Sequence, residues 1–252
     1  MENANLQEAV KKNKEFLFGL AIGIACVSTV ALIALVIYVM TGGRSACLAQ
    51  GSNGSTTGKV AKKFEACLTS GKYDAQVDAN QKEGMQLGVQ GTPASFINGY
   101  LVSGALPYES IKQVIDDLLA GKEPSQDFLK DQETGNVVKV DMPQITEQDH
   151  VTGAKNGKIT IVEYSDFECP YCGRYKTTID DVLKNYPNDV TLVFKHFPLS
   201  FHQYAKKAAI ATECANESGK FWEMYDKLFA LNNASTLNSE NISKAAVEIG
   251  LK

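Results

Sequence analysis

Cys169 and Cys172 stand two residues apart in ITIVEYSDFECPYC (residues 159–172), where an apolar run reads as a strand feeding a helix. Two thiols at that spacing can cycle between dithiol and disulfide, so the chemistry on offer is thiol–disulfide exchange. A helix start presents N–H groups without intrahelical partners and the positive end of the peptide dipole. Both stabilise a thiolate, the species that attacks disulfides. Pro170 falls at the first helical position, where its missing N–H costs least. Cys169 is therefore the expected nucleophile, its sulfur facing solvent, and Cys172, one turn in, the more buried resolving thiol. A Cys-x-x-Cys pair is otherwise half of a zinc site, which needs two further ligands. Only His150, His196 and His202 are available as histidines, and there is no second Cys-x-x-Cys. The sequence thus predicts no metal and no cofactor.

Glu163 lies on the strand leading into this pair. By alternation Ile159, Ile161 and Glu163 share one face. The residues alone leave two readings equally open: a solvated carboxylate at a strand edge, or a carboxyl beneath the dithiol. Glu168, adjacent to Cys169, is expected to be solvated.

These groups need elements to hold them. Helical spacing covers Lys59–Leu68, Tyr73–Leu87 and the amphipathic stretch Tyr108–Ala120, ended by Gly121. Ala94–Ile97 and Tyr100–Ser103 flank Asn98–Gly99, a strong hairpin signal. Lys122–Gln148 is polar and broken by Pro124, Gly135 and Pro143, a linker with one short strand near Val137–Val140. Strands over Ile159–Tyr164 and Val190–Phe194 bracket a helix from Pro170 to Asn185. Helices follow over His202–Ala215, Gly219–Leu231 and Glu240–Ile249, with Ser239 as the expected cap of the last. Phe221, Trp222, Tyr225 and Phe229 have helical spacing and read as core. The order defines an α/β domain with a helical subdomain.

The chain has 252 residues, is 44% hydrophobic and carries a net charge of −4, with no basic block beyond Lys11, Lys12 and Lys14. That balance argues against nucleic acid as a partner. Phe16–Met40 is 25 residues without a charge, long enough to cross a bilayer and too long for the apolar core of a cleaved leader. Lysines precede it and only Arg44 follows closely, so the N-terminus is expected in the cytoplasm and the remainder outside. The expected organisation is a cytoplasmic tail and anchor (1–41), a Gly/Ser/Thr/Asn-rich tether (42–58) and one folded domain (59–252). Outside the cytoplasm disulfides persist, which suits a redox pair. Cys47, in the tether, is left as an odd thiol.

EYSDFECPYC, KHFPLS, ATECANESGKFWEMYDKLF and VQGTPASFINGYLVSGALPYESI together resemble the DsbA-like thiol–disulfide oxidoreductases, and within them the membrane-anchored bacterial branch. The resemblance implies a thioredoxin-like fold with a helical insertion between its halves. It implies that Glu163 is a buried proton relay, that Pro93 is cis, and that Thr92 and Pro93, with Pro170 and Tyr171, meet the substrate. It also implies a structural disulfide between Cys67 and Cys214. Tyr171 brings no positive charge to Cys169, so an oxidant less extreme than the strongest members is expected.

The chain order departs from that family. Residues 59–121 resemble its C-terminal half, 122–136 serve as a linker, and 137–252 resemble its N-terminal half. The domain therefore resembles a circular permutant whose Lys252 would join directly to Val60. Roughly fifteen linker residues can cross a small domain at ~3.3 Å each. A natural, an engineered or a wrapped-gene origin, and exchange of halves between two chains, give the same order.

The function so implied is an anchored, extracytoplasmic oxidase that passes its disulfide to reduced secreted or cell-surface proteins and is reoxidised by a membrane redox partner. A reductase or isomerase with the same site, and a redox-inactive binding or holdase module, remain the alternatives.

Overall fold

The computed structural model describes residues 54–131 and 133–251, and for residues 54–61 the backbone alone. Phe16–Met40, Cys47 and most of the expected tether lie outside the described residues. Among those described, no helix is long and apolar enough to cross a membrane.

The elements in chain order are α1 (Gly54–Thr69), α2 (Asp74–Gln86), β1 (Ala94–Ile97), β2 (Tyr100–Ser103), α3 (Tyr108–Leu119), a 3-10 turn (Asp127–Leu129), β3 (His150–Gly153), β4 (Ile159–Ser165), α4 (Pro170–Asn185), β5 (Val190–His196), α5 (Ala205–Asn216), α6 (Phe221–Asn233) and α7 (Ser239–Glu248). The strands form one sheet in the order β2-β1-β4-β5-β3. β4 and β5 run parallel, and the other neighbours are antiparallel. This is a mixed α/β, thioredoxin-like arrangement.

The two central strands are buried along nearly their whole length because both their faces are covered. One face packs Ile159, Ile161 and Leu192 against Ile111, Val114 and Ile115 of α3 and Tyr175, Ile179 and Val182 of α4. The opposite face buries Val162, Tyr164 and Val193 beside Phe96 and Phe197. There α2 approaches closely: a Cβ on Gly84 would collide with the rings of Phe197 and Tyr164. The β1–β2 turn places Asn98 and Gly99 at φ 48° and 95°, both in the left-handed region that a two-residue hairpin of this type requires.

Helices α1, α5, α6 and α7 pack on one another around a third cluster that also takes in Phe167, Cys169, Cys172 and Phe194. Cys67 of α1 is disulfide-bonded to Cys214 of α5, across 147 residues of sequence. A buried polar knot lies beside this group. Glu213 Oε1 accepts from Nε2 of His150 at 2.7 Å and of His196 at 2.8 Å. Burial alone would raise the Glu213 pKa, but the two imidazoles outweigh it and hold the value at about 2.

Several expectations need correction. α1 begins at Gly54, inside the expected tether, because a helix anchored by buried Phe64 and Leu68 extends back through weak formers. No strand forms over Val137–Val140. That segment only touches its neighbours through the bridges Tyr100↔Lys139 and Lys130↔Val137, and its Val138 is exposed. The edge strand is instead β3, in a stretch between the expected linker and strand that carries no assignment, since with four residues and one buried face it has almost no periodicity. α5 starts at Ala205 rather than His202, because His202 and its neighbours are held by side chains near the dithiol. Asn238, not Ser239, caps α7, accepting from the Asn241 N–H at 2.9 Å.

Cutting the Cys67–Cys214 link in a Cys67→Ser/Cys214→Ser variant should lower the unfolding free energy by about 2–4 kcal/mol in urea titration, since it frees a long loop in the unfolded chain. Unchanged stability would show that helix packing alone holds α1.

Candidate functional site

The end of β4, the start of α4 and the loop before β1 converge on the two thiols. Cys169 is the N-cap residue of α4, with extended backbone at φ −72° and ψ 121°, and Pro170 opens the helix. No side chain makes a conventional cap there, so the first-turn N–H groups remain available to sulfur. Cys169 and Cys172 are both free thiols in the described structure.

Cys169 is only 3% exposed, which corrects the expectation of a solvent-facing sulfur. The cause is the loop opposite: the Cys169 thiol donates to the Thr92 carbonyl at 3.4 Å. The Cys169 pKa is nonetheless held down at about 6. The main cause is the Cys172 thiol donating to it. Burial opposes, while the N–H groups of Cys172 and Tyr171 and the Thr92 hydroxyl reinforce the shift. That hydroxyl is buried and makes no hydrogen bond among the described residues. Cys172 goes the other way: burial first, then the hydrogen bond to Cys169 and the charge there, push its thiol well up. The pair is thus split into one thiolate and one proton-holding thiol.

The Thr92–Pro93 peptide is cis; Pro93 is buried and Thr92 half-buried across from the dithiol. Pro170 is exposed and so is Tyr171, whose ring lies under the Arg174 guanidinium at 4.7 Å.

Glu163 is fully buried, because β4 is the middle strand and its interior carries no edge. It pairs in register with Phe194 on β5 and Ser95 on β1. Neither carboxyl oxygen has a hydrogen-bond partner among the described residues. Desolvation raises its pKa to about 7, with the nearby Ser165 hydroxyl opposing in part. The same carboxyl contributes to the raised values of Tyr175 and Tyr225, after burial. Both tyrosines also respond to Cys172, so carboxyl, phenols and resolving thiol occupy one electrostatic neighbourhood.

Sequence reasoning missed three supports. Asp166 is buried; its N–H meets Cys172 Sγ at 3.5 Å. Its carboxylate accepts from the Glu168 and Leu199 N–H groups and His202 Nδ1 at 2.7–2.9 Å. Glu168 in turn accepts from the Tyr204 N–H, so it is not merely solvated. These bonds strap the loop Leu199–Tyr204 beside the thiols, and it carries Phe201, 77% exposed. From α6, Asn232 donates to the Cys169 carbonyl at 2.8 Å. Asn233 crowds Gly173 so closely that a Cβ there would clash. Only the Ser-Asp of YSDFE hinted at any of this, as a turn signal.

This is the arrangement of a thioredoxin-type redox centre. Residues 36–117 and 145–250 match the Thioredoxin family, and the chain belongs to that family. It is similar to the "Na(+)/H(+) antiporter NhaA 3" of Salinispora tropica, 43% identical over 95 residues, a match covering 37% of this chain and 14% of that protein. The chain therefore spans only a small part of the length of the curated relatives it matches. Among solved structures it is similar to a thioredoxin-like oxidoreductase from Silicibacter pomeroyi DSS-3, at 27% identity and TM-score 0.37, covering 42% of this chain and 60% of that one. It is also similar to DsbA2 of Pseudomonas aeruginosa, at 30% identity and TM-score 0.33, covering 41% and 66%.

Two measurements check the electrostatics. Alkylation of Cys169 in the reduced protein should rise with pH about a midpoint near 6, with Cys172 silent; a midpoint near that of a free thiol, ~8.5, would overturn the assignment. Glu163 has a raised pKa, so native stability is greatest below the value of an unfolded carboxyl and falls as pH climbs through about 7. Glu163→Gln should therefore gain up to about 3 kcal/mol over the parent at pH 8 and almost nothing at pH 4 in urea unfolding. A difference independent of pH would contradict a buried, titrating carboxyl.

Proposed function

We propose that this protein is a DsbA-like thiol–disulfide oxidoreductase, held outside the cytoplasm by the Phe16–Met40 anchor, that introduces disulfides into reduced secreted or cell-surface proteins. The observation carrying this reading is the split between the two sulfurs. A thiolate favoured at Cys169 stabilises the dithiol form, and a stabilised dithiol makes its disulfide a better oxidant.

In the oxidising direction, a substrate thiolate attacks Cys169 Sγ of the Cys169–Cys172 disulfide. A substrate–Cys169 bond forms and the bond to Cys172 breaks, leaving a Cys172 thiolate. Cys172 takes up a proton, with Glu163, poised near neutrality, as the relay. A second substrate thiolate then attacks the substrate sulfur of the mixed disulfide, closes the substrate disulfide and expels Cys169 as the stabilised thiolate. Thr92, beside cis Pro93, offers main-chain groups for an extended substrate segment. Pro170, Tyr171 and Phe201 supply exposed surface around the thiols. Electrons leave the enzyme through a membrane redox partner.

The circularly permuted order belongs to the same proposal. It is supported by the position of the chain end: Leu251 is buried in one cluster with Phe64, and Ser243 donates to Glu65. Among the described residues, α7 thus packs against α1.

The deciding experiment equilibrates the full chain with glutathione and traps partners with Cys172→Ala. A potential between about −180 and −230 mV, less oxidising than the strongest members, with substrates retained on Cys169, is expected. A value near thioredoxin's, about −270 mV, would make it a reductase. No trapped substrate and no dithiol oxidation would leave a redox-inactive binding module.

A further inference from the structure

We propose that His150, His196 and Glu213 form a binding site for a divalent transition-metal ion of the zinc type, separate from the dithiol and entered from the pocket in front of His150. The three residues come from β3, β5 and α5 and are all buried. One ligand atom from each can be chosen so that all lie within 4.8 Å of one another. Two imidazoles and a carboxylate are the donor set that borderline divalent ions take, with remaining positions filled by water.

The approach to this trio favours a cation. A pocket of about 530 Å³ opens onto His150 and Glu213. Its wall also carries Glu147 and Asp149, and no lysine or arginine among the described residues lines it. Asp149 is neutralised by Lys195 at 3.0 Å, while Glu147 on the same wall has no ion-pair partner among the described residues and Glu213 meets only the two imidazoles. The volume holds several waters beyond the three protein ligands. Phe221 stacks on the His150 ring at 3.4 Å between centroids and fixes its plane, the kind of orientation that ligating imidazoles need.

Without metal, both histidines spend their Nε2 protons on one carboxylate oxygen. Coordination at Nε2 moves each ring proton to Nδ1, with no electron transfer. Nδ1 of His196 has no partner among the described residues to receive it, so the site binds less tightly than one whose imidazoles are both braced from behind. The trio includes neither Cys169 nor Cys172, so the site does not draw on the dithiol for ligands.

The test uses the full chain with Cys169–Cys172 oxidised, any accessible thiol alkylated and metal stripped by chelation. Titration with Zn²⁺ should show one equivalent bound, and Co²⁺ should give ligand-field bands without sulfur charge transfer. His150→Ala and Glu213→Gln should each weaken Zn²⁺ at least about tenfold, and the Zn²⁺-induced rise in Tm should disappear with them. Near-UV circular dichroism reports whether each variant is folded. Should Glu213→Gln fail to fold, His150→Gln at the edge strand carries the test. No binding by the oxidised chain, undiminished binding by folded variants, or a sulfur-ligated cobalt spectrum would each overturn the proposal and leave the trio a structural hydrogen-bond knot.

Discussion

A thiol at the start of a helix, with a second thiol donating to it, is the interaction on which the rest depends. The Cys169 sulfur receives the Cys172 S–H and faces the N–H groups of Tyr171 and Cys172, and these outweigh the burial that opposes ionisation. The surroundings serve that arrangement. Pro170 lets α4 begin without a wasted donor. Asn232 takes up the Cys169 carbonyl, and Asp166 pins the turn that delivers the chain from β4 into α4. The Thr92 carbonyl closes the front of the site.

Burial does two opposite things here, and the difference is hydrogen bonding. Glu163 and Glu213 are both enclosed. Glu213 has two imidazole donors and stays ionised far below neutrality. Glu163 has none and titrates near 7. A carboxyl left without partners in the sheet interior costs stability whenever it is charged. Glu163 lies in the electrostatic neighbourhood of the resolving thiol.

The helical group is also where the two ends of the described chain meet. α1 carries Phe64, Leu68 and Cys67 into a cluster completed by α5, α6, α7 and Leu251. The Cys67–Cys214 link makes that meeting covalent. An element that precedes the sheet in sequence is thereby built into the same core as the elements that follow it, and the dithiol rests on that core.

How much could be read in advance follows from the range of each interaction. Cys169-Pro170-Tyr171-Cys172 after an apolar run, and Asn98–Gly99 between two short strands, are local signals, because helix starts and tight turns are decided by a few neighbouring residues. The same holds for the stripe of Ile111, Val114 and Ile115. Alternation placed Glu163 on a face but left its exposure open; only its position on the middle strand, flanked by β1 and β5, put it in the interior. Four-residue β3, the burial of Cys169 under Thr92, the Asn232 and Asp166 supports and the convergence of His150, His196 and Glu213 join residues far apart in the chain. Sequence alone determined which groups are chemically able and which elements carry them. Tertiary structure decided which of them meet and which lose water, since desolvation and contact depend on neighbours that chain order does not name.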